Sequence, residues 1–235
     1  MAGRTGSFGA GLVDVYLIKT DGSGNKVWEK TFGGSSYDYG YSVQQTSDGG
    51  FLIVGNTYSL GDGSLEVYLI KTDVSGNKVW EKNFGGSSFD FGYSVEKTSD
   101  GGFVIIGFTT SFGAGQEDVY LVKVDAEGNK IWEKTFGGFL EDQGNSIQQT
   151  SDGGFIISGF TESLGAGYFD VYLIKTDANG KKIWEKTFGG SSFDWGYSVQ
   201  QVSDGGFVIT GKTFSSGAGG SDVYLIKTDS EGNVK

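Results

Sequence analysis

Along this chain, runs that are apolar at every position alternate with runs rich in glycine, serine and aspartate. Phe51-Leu-Ile-Val54 and Val67-Tyr-Leu-Ile70 are apolar at consecutive positions. Lys78-Val-Trp-Glu-Lys-Asn-Phe84 mixes charged and apolar positions, and Tyr41-Ser-Val-Gln-Gln-Thr46 is small and polar. Each run has strand length and ends in a turn, at Ser47–Gly50, in a loop through Gly61–Gly63, or at Asp73–Asn77. No window shows helical periodicity, so the pattern predicts an all-β meander of four strands per unit. A strand with one wet face alternates, so the continuous apolar runs predict middle strands covered on both faces. The mixed strand then belongs at an outer rim, and the small polar strand beside a central axis.

The unit returns every 52 residues without insertion or deletion: Val15-Tyr-Leu-Ile-Lys-Thr-Asp21 recurs at Val67, Val119, Val171 and Val223. A fixed period of this size marks one supersecondary unit stabilised by stacking on its neighbours. Four-stranded antiparallel sheets stacked face to face around an axis form a β-propeller, which leaves only short, protected edges. The expected architecture is a single propeller domain over 1–235. Inner strands begin near Tyr41, Tyr93, Asn145 and Tyr197, which predicts four blades per chain. The third strand occurs five times, because residues 1–27 repeat the register of 209–235. The last unit stops before its outer strand, and residues near Val27–Phe32 are expected to supply it. Closure then gives four blades within one chain or eight between two, and a homodimer formed by strand exchange is the expected assembly. The near-identity of the copies fits recent duplication, repeat amplification or design equally well.

The stretch from Ser42 to Gly86 resembles the WD-repeat and pyrroloquinoline-quinone-type propeller families. In these an inner strand ends in an Asp-Gly turn, and an Asp-x-x-(Thr/Ser)-Gly-x-x-x-Trp stretch joins the outer strands. The counterparts here are Asp73-Val-Ser-Gly-Asn-Lys-Val-Trp80 and the copies ending at Trp28, Trp132 and Trp184. The resemblance implies a propeller and brings no enzyme with it. It further implies that Asp14, Asp118, Asp170 and Asp222, just before the third strand, tie loops together. Glu66 departs from that pattern, so a looser tie is expected in its copy. Ser36-Tyr-Asp38-Tyr-Gly40, with its copies at Ser88–Gly92 and Ser192–Gly196, is similar to the Asp-box of sialidase-like propellers, though it lies in a different place in the unit.

Composition narrows the function. The formal charge is −11, from 29 acidic and 18 basic residues, which opposes a nucleic-acid partner. No apolar run approaches the roughly 20 residues needed to cross a bilayer, so no membrane partner is expected and the chain reads as soluble, extracellular if natural. There is no cysteine and no histidine. Disulfides, thiolate metal sites and the commonest general base are therefore absent, and carboxylates, hydroxyls, Lys and Tyr remain for any chemistry.

Once per unit, a loop aspartate with a flanking side chain enters the inner strand: Asp38 and Tyr39, Asp90 and Phe91, Asp142 and Gln143, Asp194 and Trp195. These eight are the candidate ligand-binding residues. The carboxylates either meet at the axis to hold a cation or accept N–H bonds in their own glycine-rich loops. The rings are either sugar platforms or wedges between blades. Substitutions among copies gather at Asn56, Phe108, Phe160 and Lys212 and in the loops at Ser64-Leu65, Gln116-Glu117, Tyr168-Phe169 and Gly220-Ser221, on the face expected to carry the Asp-aromatic loops. The leading expectation is a non-enzymatic propeller, structural or binding, with no catalytic residue, metal or cofactor. The alternatives are a multivalent lectin-like carbohydrate binder and a carboxylate-dependent hydrolase.

Overall fold

A computed structural model describes residues 1–61 and 63–234. Among them there is no helix, and eighteen strands form five antiparallel sheets. The first sheet holds β1 (Ala2–Thr5), β2 (Asp14–Thr20) and β3 (Lys26–Phe32). The second holds β4 (Asp38–Gln45), β5 (Phe51–Thr57), β6 (Glu66–Thr72) and β7 (Lys78–Phe84). The third holds β8 (Asp90–Lys97), β9 (Phe103–Thr109), β10 (Asp118–Val124) and β11 (Lys130–Phe136). The fourth holds β12 (Asp142–Gln149), β13 (Phe155–Thr161), β14 (Asp170–Thr176) and β15 (Lys182–Phe188). The fifth holds β16 (Asp194–Gln201), β17 (Phe207–Thr213) and β18 (Asp222–Lys227).

Two expectations are corrected here. There are five sheets rather than four, and the ring is not closed: β3 pairs with β2, and no ladder joins the first sheet to the last. The reason is the short turn at Asp21–Asn25, where Asp21 N–H and Asn25 C=O are 2.9 Å apart. Pairing across so few residues costs far less loop entropy than joining the two ends of the chain. The inner strand also begins earlier than Tyr41. Asp38 and Tyr39 lie within β4 itself, opposite Thr57 and Asn56, and their copies open β8, β12 and β16 in the same way.

Inner strands β4, β8, β12 and β16 pack on one another in turn, while no outer strand meets another to a comparable extent. The sheets therefore fan out from a shared inner edge, as propeller blades do. The continuous apolar runs lie where both faces are covered: β9, β10, β13 and β14 are buried along their whole length. Val119 and Leu121 of β10 pack in one cluster with Tyr172 and Ile174 of β14, and this pairing of a Val–Leu ridge with a Tyr–Ile face repeats between sheets, with Val122 in place of Ile in the third. Fully burying each such side chain contributes about 1.5–3 kcal/mol. The tryptophans seal the outer part of these interfaces. Trp132 meets Phe155 of the next sheet edge-on at 5.7–6.1 Å, the range seen also for Trp28 with Phe51 and Trp184 with Phe207.

Near the inner edge each four-stranded sheet has a β-bulge. Phe91 and Gly92 pair with Phe108 and Gly107, but the next partner of Ile106 is Ser94, so Tyr93 is the extra residue. The bulge drives the Phe91 carbonyl against β9, and a Cβ on Gly107 would lie 1.8 Å from that oxygen. Only glycine fits there, and Gly55, Gly159 and Gly211 hold the equivalent places.

Candidate functional site

The four strand-opening aspartates are buried and act within their own units. Asp38 accepts the Gly34 N–H at 2.9 Å and the Ser59 hydroxyl at 2.6 Å, and also bonds the Thr57 hydroxyl. Asp90 does the same with Gly86 N–H, Ser111 and Thr109. Asp142 and Asp194 accept from Gly138 and Ser163 and from Gly190 and Ser215. Each carboxylate thus pins the loop that precedes the inner strand to the end of the second strand. They do not converge on the axis, and among the described residues no three acidic side chains gather as a metal ligand set would.

The aspartates before the third strand tie loops as the family resemblance implies. Asp118 Oδ2 accepts the N–H groups of Ala114 and Gly115, and Asp170 those of Ala166 and Gly167. The looser tie expected at Glu66 concerns a loop that runs through position 62, which lies outside the described residues. The longer Glu66 side chain is buried and bonded by the Asn83 side-chain amide, at a position where the other units carry threonine. Across each sheet boundary these acids come close to the strand-opening ones: a Cβ on Gly137 would lie 2.6 Å from Asp142 Oδ2 and 2.7 Å from Asp118 Oδ1. Asp118 and Asp142 are 1% and 0% exposed, so this acid pair is closed over by backbone.

Both loop families lie on one face. Single parallel bridges join Val13 to Tyr37, Glu117 to Glu141 and Phe169 to Phe193, which locks each second-to-third-strand loop to the loop of the following sheet. The four ring or amide partners named from sequence share this face but have different surroundings. Tyr39 stacks between Tyr37 and Tyr41, with centroids 6.4 Å away on each side. Trp195 lies 5.5 Å from Phe193 at 7° between planes. Gln143 donates to Glu117. Phe91 stacks on Phe108 at 4.3 Å and 16°.

Around that last stack opens a cleft of about 270 Å³ lined by Tyr58, Phe89, Phe91, Phe108, Thr110 and Glu117. Burial pushes the Glu117 carboxyl above its usual range, against the lowering effect of the Gln143 amide, and nearby Glu141 adds to the rise. Sequence reasoning brings Phe91 and Phe89, the two rings flanking Asp90, to this wall and does not assemble the rest of it. Phe108 and Glu117 stand among the positions that vary between copies, which was the only signal for them; Tyr58 and Thr110 carried none. Cations already sit on rings of this face: the Arg4 guanidinium lies 5.2 Å from the Tyr39 ring, and Lys212 Nζ lies 5.2 Å from Trp195 and 4.5 Å from Phe214.

No known family profile matches the chain. It is similar to the regulatory protein FlaEY of Caulobacter vibrioides, 26% identical over 247 residues, an alignment covering 89% of this chain and 24% of that protein. The chain thus spans about a quarter of the length of the curated relative it matches. Among solved structures it is similar to Sqt1 from Chaetomium thermophilum, at 13% identity and a TM-score of 0.44 over 95% of this chain and 64% of that one. A putative gluconolactonase aligns at 10% identity and a TM-score of 0.44, covering 93% and 79%. A xylan β-1,4-xylosidase from Bacillus halodurans aligns at 13% identity and a TM-score of 0.42, covering 91% and 50%.

Proposed function

We propose that this chain is a non-catalytic, propeller-type scaffold that binds ligands through its ring-bearing face. The observation that carries this reading is a division of labour among side chains. The acids of the loops are spent on holding backbone and hydroxyl groups, whereas the rings beside them lie at the surface, with Tyr37, Phe89, Tyr168 and Tyr197 all more than two-fifths exposed. Rings on loops fixed to a rigid stack are a recognition surface. The enzyme alternative needs two carboxylates about 5–10 Å apart in one accessible pocket. The close pairs here are sealed behind glycine backbone, which favours the binding reading. Thermal melting of the wild type, Phe91→Ser and Trp195→Ser against a panel of sugars, amines and aromatic acids tests it. Stabilisation of the wild type that one of the variants loses supports binding on this face; stabilisation unchanged in both variants, or by no class of compound, overturns it.

Self-association is the second part of the proposal, and one contrast supports it. Val223 and Leu225 of β18 are 86% and 67% exposed, whereas Val67, Leu69, Val119, Leu121, Val171 and Leu173 are all 0% exposed at the same register. Each inner ridge of this kind is covered by the corresponding face of the next sheet, Tyr with Ile or, in the third sheet, Tyr120 with Val122. Tyr16 and Ile18 of β2 present that face half-exposed on the first sheet. A second copy of the chain, docking its Tyr16–Ile18 face on the Val223–Leu225 ridge, continues the stack with the interface already used inside it.

A further inference from the structure

The cleft between Tyr58 and Glu117 differs from every other part of the ring face, because it combines four aromatic walls with one carboxylate and contains no cation. The next-to-last position of the second strand decides this. It is Arg4 in the first sheet and Lys212 in the fifth, and in both the cationic side chain lies on a ring of the neighbouring inner strand. In the third sheet the same position is Phe108, stacked on Phe91, so the wall gains a ring and the built-in cation is missing. The charge that would balance Glu117 is missing with it. Its bonded neighbour is the neutral amide of Gln143, and its backbone partner across the loop is Glu141, a second acid. Of the third sheet's four strand lysines, Lys123 is held by Asp100 and Lys130 by Glu133, and none of the four lines the cleft.

Resting on the reading of this face as a binding surface, we propose that the cleft lined by Tyr58, Phe89, Phe91, Phe108, Thr110 and Glu117 is a site for a small organic cation of the alkylammonium class. The ring faces supply their negative quadrupoles to the cation and Glu117 supplies the counter-charge, while the Thr110 hydroxyl is bonded to Ser88 and the Phe89 backbone and holds the wall. A cation in this cleft takes the place that Arg4 and Lys212 fill from within the chain in the end sheets.

The test is titration calorimetry of the whole chain with choline, with 3,3-dimethylbutan-1-ol as its neutral equivalent in shape, and with methyl glucoside. Choline is expected to bind about two- to fivefold more tightly than the neutral alcohol, the ratio given by a cation–π contribution at a partly exposed site. Glu117→Gln is expected to reduce choline affinity by a similar factor. Phe108→Lys, which installs the residue that the fifth sheet already carries there, is expected to abolish choline binding in a protein that still melts cooperatively, with a lowered midpoint because Phe108 is buried. Equal affinity for choline and the alcohol overturns the inference, as does choline binding that Phe108→Lys leaves intact. Binding of methyl glucoside alone, lost in Phe91→Ser, overturns the cation inference and leaves the binding face standing; silence of all three probes overturns the cation site, and the ring face then rests on its own ligand panel.

Discussion

A single methyl group placed at one register position in two sheets should produce opposite results. Gly107 of β9 sits beneath the bulge of β8, where an added Cβ would lie 1.8 Å from the Phe91 carbonyl oxygen and 2.7 Å from its carbon. Real Cβ contacts are essentially never shorter than 3.0 Å, so the inner strand must move by more than an ångström. Overpacking against backbone, with loss of ladder bonds beside the bulge, gives an expected cost of about 2–4 kcal/mol for Gly107→Ala. For a chain of this size that lowers the melting temperature by roughly 5–15 °C. Gly3 occupies the same register in β1, opposite Tyr16 as Gly107 is opposite Tyr120. The first sheet has no inner strand, and a Cβ on Gly3 meets nothing within 4 Å. Gly3→Ala is therefore expected to be neutral or stabilising by up to about 1 kcal/mol. Gly211 lies in the equally terminal fifth sheet, yet a Cβ there would be 1.9 Å from the Trp195 oxygen, so Gly211→Ala should behave as Gly107→Ala does. Differential scanning calorimetry of the three variants decides the matter. A Gly107→Ala midpoint within about 2 °C of the wild type, or a Gly3→Ala loss equal to that of Gly211→Ala, would refute the steric argument.

Light scattering over a concentration series should show the wild type at a mass above 25.0 kDa and Leu225→Lys at the monomer mass, since a lysine on the ridge cannot be buried unpaired; a wild type that stays monomeric throughout ends the self-docking proposal. Acid should weaken the fold below pH 4. The Thr98 hydroxyl, opposed by burial and helped by the Gly102 N–H and Lys123, holds Asp100 down at about 2. Its folded pKa lies below the unfolded value, so its stabilisation is complete above about pH 4 and is lost as pH falls through 2. Asp100→Asn should flatten that part of the melting-temperature profile. It should also cost about 1–2 kcal/mol at neutral pH by leaving Lys123 buried without its partner, less than for a fully enclosed pair because the Asp100 side chain is 60% exposed. Asn83→Thr should destabilise the second sheet, and adding Glu66→Asp should recover most of the loss, because the pair then matches the other units; a double-mutant cycle with coupling below about 0.5 kcal/mol would count against this.

The sequence made the middle strands legible because their signal is local. Phe103-Val-Ile-Ile106 can be covered on both faces only in a stack, and β9 and β10 are buried throughout. The start of the inner strand was harder to read, since Asp90-Phe-Gly92 has turn composition and pairs with β9 only through a bulge that sequence does not announce. The first strand escaped notice because Ala2-Gly-Arg-Thr5 has no apolar run, and its strand identity comes entirely from pairing with β2. The site was half legible. The aspartates were found and turned out to be clamps, while the cleft draws Tyr58 from the second sheet and Phe91, Phe108 and Glu117 from separate stretches of the third, which no local pattern links.

The interchangeable ridge-and-face contact has a kinetic side. A Val–Leu ridge meets a near-identical face, Tyr with Ile or, in the third sheet, Tyr120 with Val122, in every pair of neighbouring sheets, so a refolding chain can dock a sheet on one two places along and still gain nearly full apolar burial. Such an intermediate is wrong by a whole unit and must come apart before the correct neighbour can bind, which predicts slow, heterogeneous refolding even though every hairpin forms locally and fast.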